Sequence, residues 1–262
     1  MFKKFFIFCI IILIFAAIGG YFLFSSRQRL RQQRQIAKAP EAQITVIEGW
    51  GNAQIADYLQ QKNLLKAQDF LSAAEKFDAS DYPILLSKPK TAGLEGFLFP
   101  DTYRVAIYQN NQTAQANEII KKMLDNFSQK FTADMQQQAA TQKMTVYQII
   151  TLASIIEKES GHAQDKTTIS GVFYNRINAK MPLQSDATVA FSQAQNLPDY
   201  NTYNNPGLPP GPICNPSLSS ITAALNPVAS DYFYFLTDPK TGQAVFAKTY
   251  DEHLINKQKY LK

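Results

Sequence analysis

The sequence predicts an α+β protein in three parts: an apolar N-terminal transmembrane helix, a small α+β module, and a larger mixed α+β domain that closes on a hairpin and a helix. Three observations lead there. The 262 residues are 45% hydrophobic and 18% charged, with 18 Phe and 13 Tyr, which is ample for one sizeable core or two unequal ones. One long apolar run sits at the N-terminus. After it, β-branched alternation flanks a long middle section in which apolar residues recur at helical spacing.

The run from Phe5 to Phe24, FFIFCIIILIFAAIGGYFLF, carries no charge and matches the roughly 20 residues a helix needs to cross a bilayer core. Lys3 and Lys4 precede it, as in a secretory signal. The run exceeds the ~7–15 apolar residues of such a signal, however, and no good small-x-small cleavage site follows. An uncleaved single-pass anchor in the cytoplasmic membrane is expected over residues 1–26. Local charge opposes an exported chain, because Arg27, Arg29, Arg31 and Arg34 outnumber Lys3 and Lys4. Residues 27–42, basic, glutamine-rich and ended by Pro40, read as a juxtamembrane linker.

Residues 43–93 read as the small module. ITVIEGW alternates as a strand, and two helices follow, one with Ile55, Tyr58 and Leu59 on a face and one with Phe70, Leu71, Ala74 and Phe77. LEGFLFPDTYRV, punctuated by Gly96 and Pro100, opens the larger domain, residues 94–262. There Thr113 to about Phe131 shows a stripe of Ile119, Ile120, Met123, Leu124 and Phe127, and Thr145 is placed to cap the next helix. A further helix carries Ile169, Val172, Phe173 and Ile177. The segment YNTYNNPGLPPGPICNPS, Tyr200 to Ser217, is too rich in proline for a helix or central strand. Asn215 and Pro216 then read as cap and first-turn proline of the helix in SLSSITAALN. DYFYFL and QAVFA around TDPKTG form a hairpin, and Thr249 with Glu252 makes the capping box of a last helix.

A net charge of +5 permits an anionic partner, but much of it lies beside the anchor. No zinc-ligand spacing, P-loop or basic recognition helix is present, so neither metal nor cofactor nor nucleic acid is expected. Cys9 lies in the apolar run and Cys214 far from it, so no disulfide joins them.

Chemistry concentrates in QIITLASIIEKESGH, Gln148 to His162. At about 100° per residue, Glu157 falls inside the apolar stripe of Val146, Ile149, Ile150 and Ala153, while Glu159 lies about 160° away, beside Leu152 and Ile155 and next to the polar sector of Thr151 and Lys158. Burial disfavours a charged carboxyl, so the stripe predicts a raised pKa and a retained proton for Glu157, as a general acid requires. The alternative is a glutamate past the end of the core that pairs with a nearby Lys or Arg. Gln184, Ser185 and Asp186, at a helix start after Pro182, are either capping groups or site groups.

LEGFLFPDTY, LASIIEKES, GVFYNRI, MPLQSDATVAF and YNTYNNPGLPPGPICNPSLSSITAALNP, in that order, resemble the YceG-like family of endolytic murein transglycosylases. The resemblance covers most of 94–262. Upstream, ITVIEGWGNAQIADYLQQKNLL is similar to the LysM-like module that precedes the catalytic domain in that family, and the apolar run to its single-pass anchor. The family's Glu-His-Asn near the C-terminus is Glu252, His253 and Leu254 here. The resemblance implies that Glu157, first glutamate of IIEKE, is catalytic and that Glu159 supports it. It implies cleavage of the β-1,4 bond between N-acetylmuramic acid and N-acetylglucosamine within peptidoglycan glycan strands, leaving 1,6-anhydro ends. The partners it implies are those strands, the cytoplasmic membrane and peptidoglycan synthases (penicillin-binding proteins), with the catalytic domain outside the membrane. The proline-rich segment then suits a groove wall, where Tyr200, Asn201, Tyr203 and Asn204 offer phenol and amide partners to sugar hydroxyls and N-acetyl groups. Two alternatives stay open: a two-carboxylate muramidase using Glu157 with Asp186 or Glu159, and a non-catalytic wall-binding scaffold.

Overall fold

The structure, a computed structural model, describes residues 18–21, 24–29, 40–108 and 111–261. Most of the apolar run, and with it the membrane-span assignment, lies outside the described residues, among which no helix is long and apolar enough to cross a membrane.

Strand β1, Glu41–Thr45, pairs antiparallel with β2, Thr102–Ala106, in a register that sets Ile44 opposite Tyr103. Period-two alternation turns Ile44 inward, fully buried, as a half-solvated strand requires. Helices α1, Asn52–Gln61, and α2, Ala67–Lys76, bury Ile55, Ala56 and Leu59, and Phe70 and Ala74. The strand expected across ITVIEGW stops at Thr45. Gly49, at φ 78°, then takes the chain into the left-handed region that favours glycine. The small sheet draws its second strand from beyond residue 93, and Ile55 and Phe70 share one buried cluster with Phe127 and Ile150.

The larger part is helical until its end: α3, Gln112–Lys130; α4, Ala133–Thr141; α5, Val146–Glu159; α6, Lys166–Asn178; α7, Asp186–Gln195; and α8, Leu218–Leu225. The predicted hairpin follows, with β3, Tyr234–Thr237, paired antiparallel to β4, Ala244–Ala247, and α9, Tyr250–Tyr260, packed on it. Thr249 and Glu252 form the expected capping box of α9.

Helix α5 is the pillar of this domain. Thr145 and Gln148 close a capping box at its start, and every residue from Ile149 to Ile156 is buried. A helix apolar on all sides has to be surrounded, and α4, α6, α7 and α8 all pack on it. Its internal hydroxyls are satisfied: Thr151 Oγ1 donates to the Tyr147 carbonyl and Ser154 Oγ to that of Thr151, at 2.8 and 2.7 Å. Ser154 Oγ also accepts the Ile213 N–H at 3.0 Å, which pins the proline-rich segment along α5. Gly96, at φ 88°, is needed there for a second reason: a Cβ would lie 2.5 Å from Pro212.

The start of α8 differs from expectation. Ser217, not Asn215, is its N-cap, accepting the Ser220 N–H at 3.2 Å. Asn215 is instead fully buried and ties the two parts of the molecule together. Its N–H and its side-chain amide both donate to the Trp50 carbonyl at 2.9 Å, its carbonyl accepts from Gly49 N–H at 2.9 Å, and its Oδ1 accepts from Leu98 N–H at 2.9 Å. A side chain used up in this way cannot cap a helix.

Candidate active site

Glu157 leaves the last turn of α5 toward the first turn of α8, with its side chain only 10% exposed. Its Oε2 gathers four donors: Ser217 Oγ at 2.5 Å, Ser220 Oγ at 2.6 Å, Ser217 N–H at 3.1 Å and Lys166 Nζ at 3.1 Å. Lys166, 8% exposed, opens α6 and also donates to Ser217 Oγ at 3.1 Å and Ser219 Oγ at 2.9 Å. Among the described residues no donor reaches Oε1. The small module closes this side, because a Cβ at Gly49 would lie 3.5 Å from Glu157 Cγ.

This arrangement corrects the expectation of a protonated Glu157. Burial does push its pKa up, but the Ser217 and Ser220 hydroxyls, the Lys166 charge and the Ser217 N–H together outweigh it and leave the pKa below the ordinary glutamate value. A helix N-terminus adds its own preference for an anion. The stripe located the residue correctly relative to the core, yet the serine donors come from 60 and 63 positions away and Lys166 from the start of the next helix, which periodicity cannot see.

Glu159 lies on the other flank and is enclosed rather than placed in a solvated polar sector. Ser185 Oγ donates to its Oε1 at 2.5 Å. Burial raises its pKa, against the Ser185 hydroxyl and the Ala187 N–H, and nearby Asp186 adds to the rise. Ser185 occupies the cap position of α7 without a side-chain capping bond, since its hydroxyl serves Glu159. Asp186 Oδ1 accepts from the Tyr203 hydroxyl at 2.8 Å. Gln184, held at φ 51°, presents Oε1 to Arg176 at 3.2 Å, and the same guanidinium holds the Leu183 and Pro182 carbonyls at 2.8 and 3.2 Å.

Glu159, Gln184, Ser185, Asp186 and Tyr203 therefore form one connected group around Arg176, and none of them bonds to Glu157. The remaining candidates sit along the proline-rich segment. Tyr200 packs on Phe191, with ring centroids 5.0 Å apart. Its hydroxyl and that of Tyr147 come so close to Gly211 that a Cβ there would lie 2.9 and 2.2 Å away. Asn201 builds a turn, accepting Tyr203 N–H on its side chain at 3.0 Å and Asn204 N–H on its carbonyl at 3.2 Å. Asn204 and Tyr203 are exposed.

Sequence reasoning passed over Lys166, Ser217, Ser220 and Glu95, and gave Asn215 a different task. Lys166 stands at a helix start, where a cation is disfavoured, and that misfit was its one local signal. Glu95 is half-buried in the turn before Gly96. Both of its oxygens accept from the Asn52 N–H at 3.2 and 3.1 Å. Burial lifts its pKa to about 7, offset in part by that N–H and by the Lys158 charge. Cys214 is fully buried, and burial pushes its thiol up. His253 stacks on Tyr234 at 5.5 Å and burial lowers its pKa, as for a packed ring. Among the described residues no cluster of His, Cys, Asp or Glu suits a metal ion.

The chain is similar to known proteins over most of its length. The pattern of the YceG-like family matches residues 16–259. An endolytic murein transglycosylase of Bacillus subtilis (strain 168) is 35% identical over 243 residues, covering 84% of this chain and 65% of that protein. One from Streptococcus pneumoniae serotype 2 (strain D39 / NCTC 7466) is 34% identical over 246 residues, 81% of this chain and 43% of its own length. The chain thus spans less than two thirds of either relative. In three dimensions it matches a crystal structure of a yceG-like protein from Listeria monocytogenes with a TM-score of 0.72 and 36% identity, covering 83% of this chain and 76% of that one. The family pattern spans most of the chain and the mixed α+β architecture matches over 83% of it, and the chain belongs to the YceG-like family.

Proposed function

We propose that this chain is an endolytic lytic transglycosylase that cuts the β-1,4 bond between N-acetylmuramic acid and N-acetylglucosamine inside glycan strands and leaves 1,6-anhydro ends. The observation that carries the reading is the Glu157 carboxyl, one oxygen saturated by Lys166, Ser217 and Ser220 and the other left to the substrate. The relatives' names support it.

The reaction needs one group to move a proton twice. Glu157 first protonates the leaving glycosidic oxygen as the bond to C1 breaks. As a carboxylate it then takes the proton of the muramyl C6 hydroxyl while O6 attacks C1, so that no water is consumed. The resting site, with its lowered pKa, is set for the second half. A glycan that covers Oε1 strips away water and disfavours the charge, which moves the pKa toward the first. Glu159 and Asp186 are engaged with Ser185 and Tyr203 on the other flank, an arrangement that favours one working carboxyl over the two of a hydrolase.

The same reading places Gln184, Ser185, Asp186, Tyr200, Asn201, Tyr203 and Asn204 along the glycan path, with Glu159 supporting them. Residues 1–26 anchor the chain in the cytoplasmic membrane with the N-terminus inside, 27–42 link, 43–93 form a LysM-like module that helps position glycan, and 94–262 cut. A substrate outside the membrane requires export of the large domain despite the local arginines, as long domains permit. Cleavage within nascent strands ends their elongation beside the synthases. The test is mass analysis of products released from glycan strands by the full chain in detergent. Anhydro-ended fragments are expected, and reducing ends alone would replace the reading with a hydrolase.

A further inference from the structure

Glu95 is a half-buried residue that the reading above leaves without a task. Glu157 draws four donors onto one oxygen, whereas both Glu95 oxygens share the single Asn52 N–H. The charged or titratable groups facing it come from each neighbouring element: Lys158 on α5, Tyr200 in the turn after α7, and Cys214 in the proline-rich segment. From α1 it meets only the backbone N–H.

The Gly49–Asn52 loop joins the two carboxyls. A Cβ at Gly49 would lie 3.5 Å from Glu157 Cγ and 3.8 Å from Lys158 Nζ, and one at Gly51 would lie 3.4 Å from Glu95 Oε1. Glycines let the loop approach both side chains closely, and Asn215 fixes its position. Glu157 is at one end of this wall and Glu95 at the other. With its pKa raised to about 7 by burial, Glu95 carries an O–H on the acid side of neutral.

We propose that Glu95 is a substrate-binding carboxyl of the same cleft, its O–H donating to the acetamido carbonyl oxygen of an N-acetylated sugar bound along the Gly49–Asn52 loop. The inference rests on the reading of the chain as a glycan-cleaving enzyme. A carboxylate would repel a carbonyl oxygen, so binding falls as Glu95 loses its proton. An amide at this position keeps a donor at every pH and still accepts from Asn52.

The experiment measures binding, so it does not depend on turnover. The full chain carrying Glu157→Gln, in detergent, is titrated with fluorescent, peptide-free glycan strands at about pH 5.5 and about pH 8.5, below and above the Glu95 pKa. Kd should rise about tenfold between the two, the scale of one lost hydrogen bond. Adding Glu95→Gln should flatten this step, and adding Glu95→Ala should leave binding weak at both pH values, with melting transitions confirming that each variant is folded. An unchanged step in the Glu95→Gln protein would overturn the inference and leave the proposed function standing. Absence of strand binding at either pH would overturn both.

Discussion

The two flanks of α5 hold buried glutamates two residues apart that behave in opposite ways. At Glu157 four donors converge on one oxygen and Lys166 supplies a charge, so the carboxylate is favoured despite burial. At Glu159 a serine hydroxyl and one N–H stand against burial and the neighbouring Asp186, and the acid form gains. Depth in the protein does not decide the charge of a carboxyl. The number and charge of the donors facing it do.

The largest expected effect tests the proton-moving role. Glu157→Gln keeps volume and an oxygen for the Ser217 and Ser220 hydroxyls but cannot carry a proton. Cleavage of glycan strands should fall by about 10²–10⁴, the usual cost of a lost general acid or base, while strand binding persists. If Glu159→Gln were dead and Glu157→Gln active, the assignment of flanks would be reversed.

Lys166→Met probes the charge itself. Breaking a buried pair by removing one partner typically costs about 3–5 kcal/mol, so the melting temperature should drop sharply. Because the Glu157 pKa is depressed in the fold, its stabilisation is present above the unfolded carboxylate pKa and is lost as pH falls through the lower folded value. The Ser217 and Ser220 hydroxyls still hold the carboxylate in the variant, which should therefore lose less stability than the parent over that acidic window, though not none. A parallel decline in both proteins would remove Lys166 as the source.

Ser217→Ala should be milder in stability, about 1–2 kcal/mol for a lost N-cap, yet it also takes a donor from Glu157. The two roles separate in the pH profile of cleavage: Glu157 has to enter the reaction protonated, so the alkaline limb should move upward as its pKa rises. A stability loss with an unmoved limb would leave only the cap.

Glu159→Gln is expected to be the smallest change, with activity within about tenfold of the parent, far from the loss of a general acid. A carboxyl whose folded pKa is raised reduces stability as pH climbs from the ordinary glutamate range through the folded value. The amide removes that penalty, so at alkaline pH the variant should melt no lower than the parent. A clear fall there would mean that Glu159 is needed as an anion.

Much of this architecture is legible along the chain. The stripe on α3, the Thr145 cap of α5, the capping box of α9 and the C-terminal hairpin all express local preferences, and the structure contains them as read. Prolines between residues 200 and 217 announced an irregular segment. The first strand was read too late, over Ile44 to Trp50 where the structure has Glu41–Thr45, because its ladder partners are distant: β2 supplies the pairing from Glu41 to Thr45, and near Gly49 the backbone turns to Asn215.

The sequence by itself determined where the core-facing glutamate stands, because helical period is a property of neighbours in the chain. It also determined, through the ordered motifs, the family to which that glutamate belongs. Only the tertiary structure decided the charge that Glu157 prefers, since that depends on Lys166, Ser217 and Ser220 arriving from other helices. The structure alone likewise turned Asn215 from an expected cap into the clamp that brings the Gly49–Asn52 loop against two carboxyls. Periodicity records which way a side chain points, and the fold supplies what it meets.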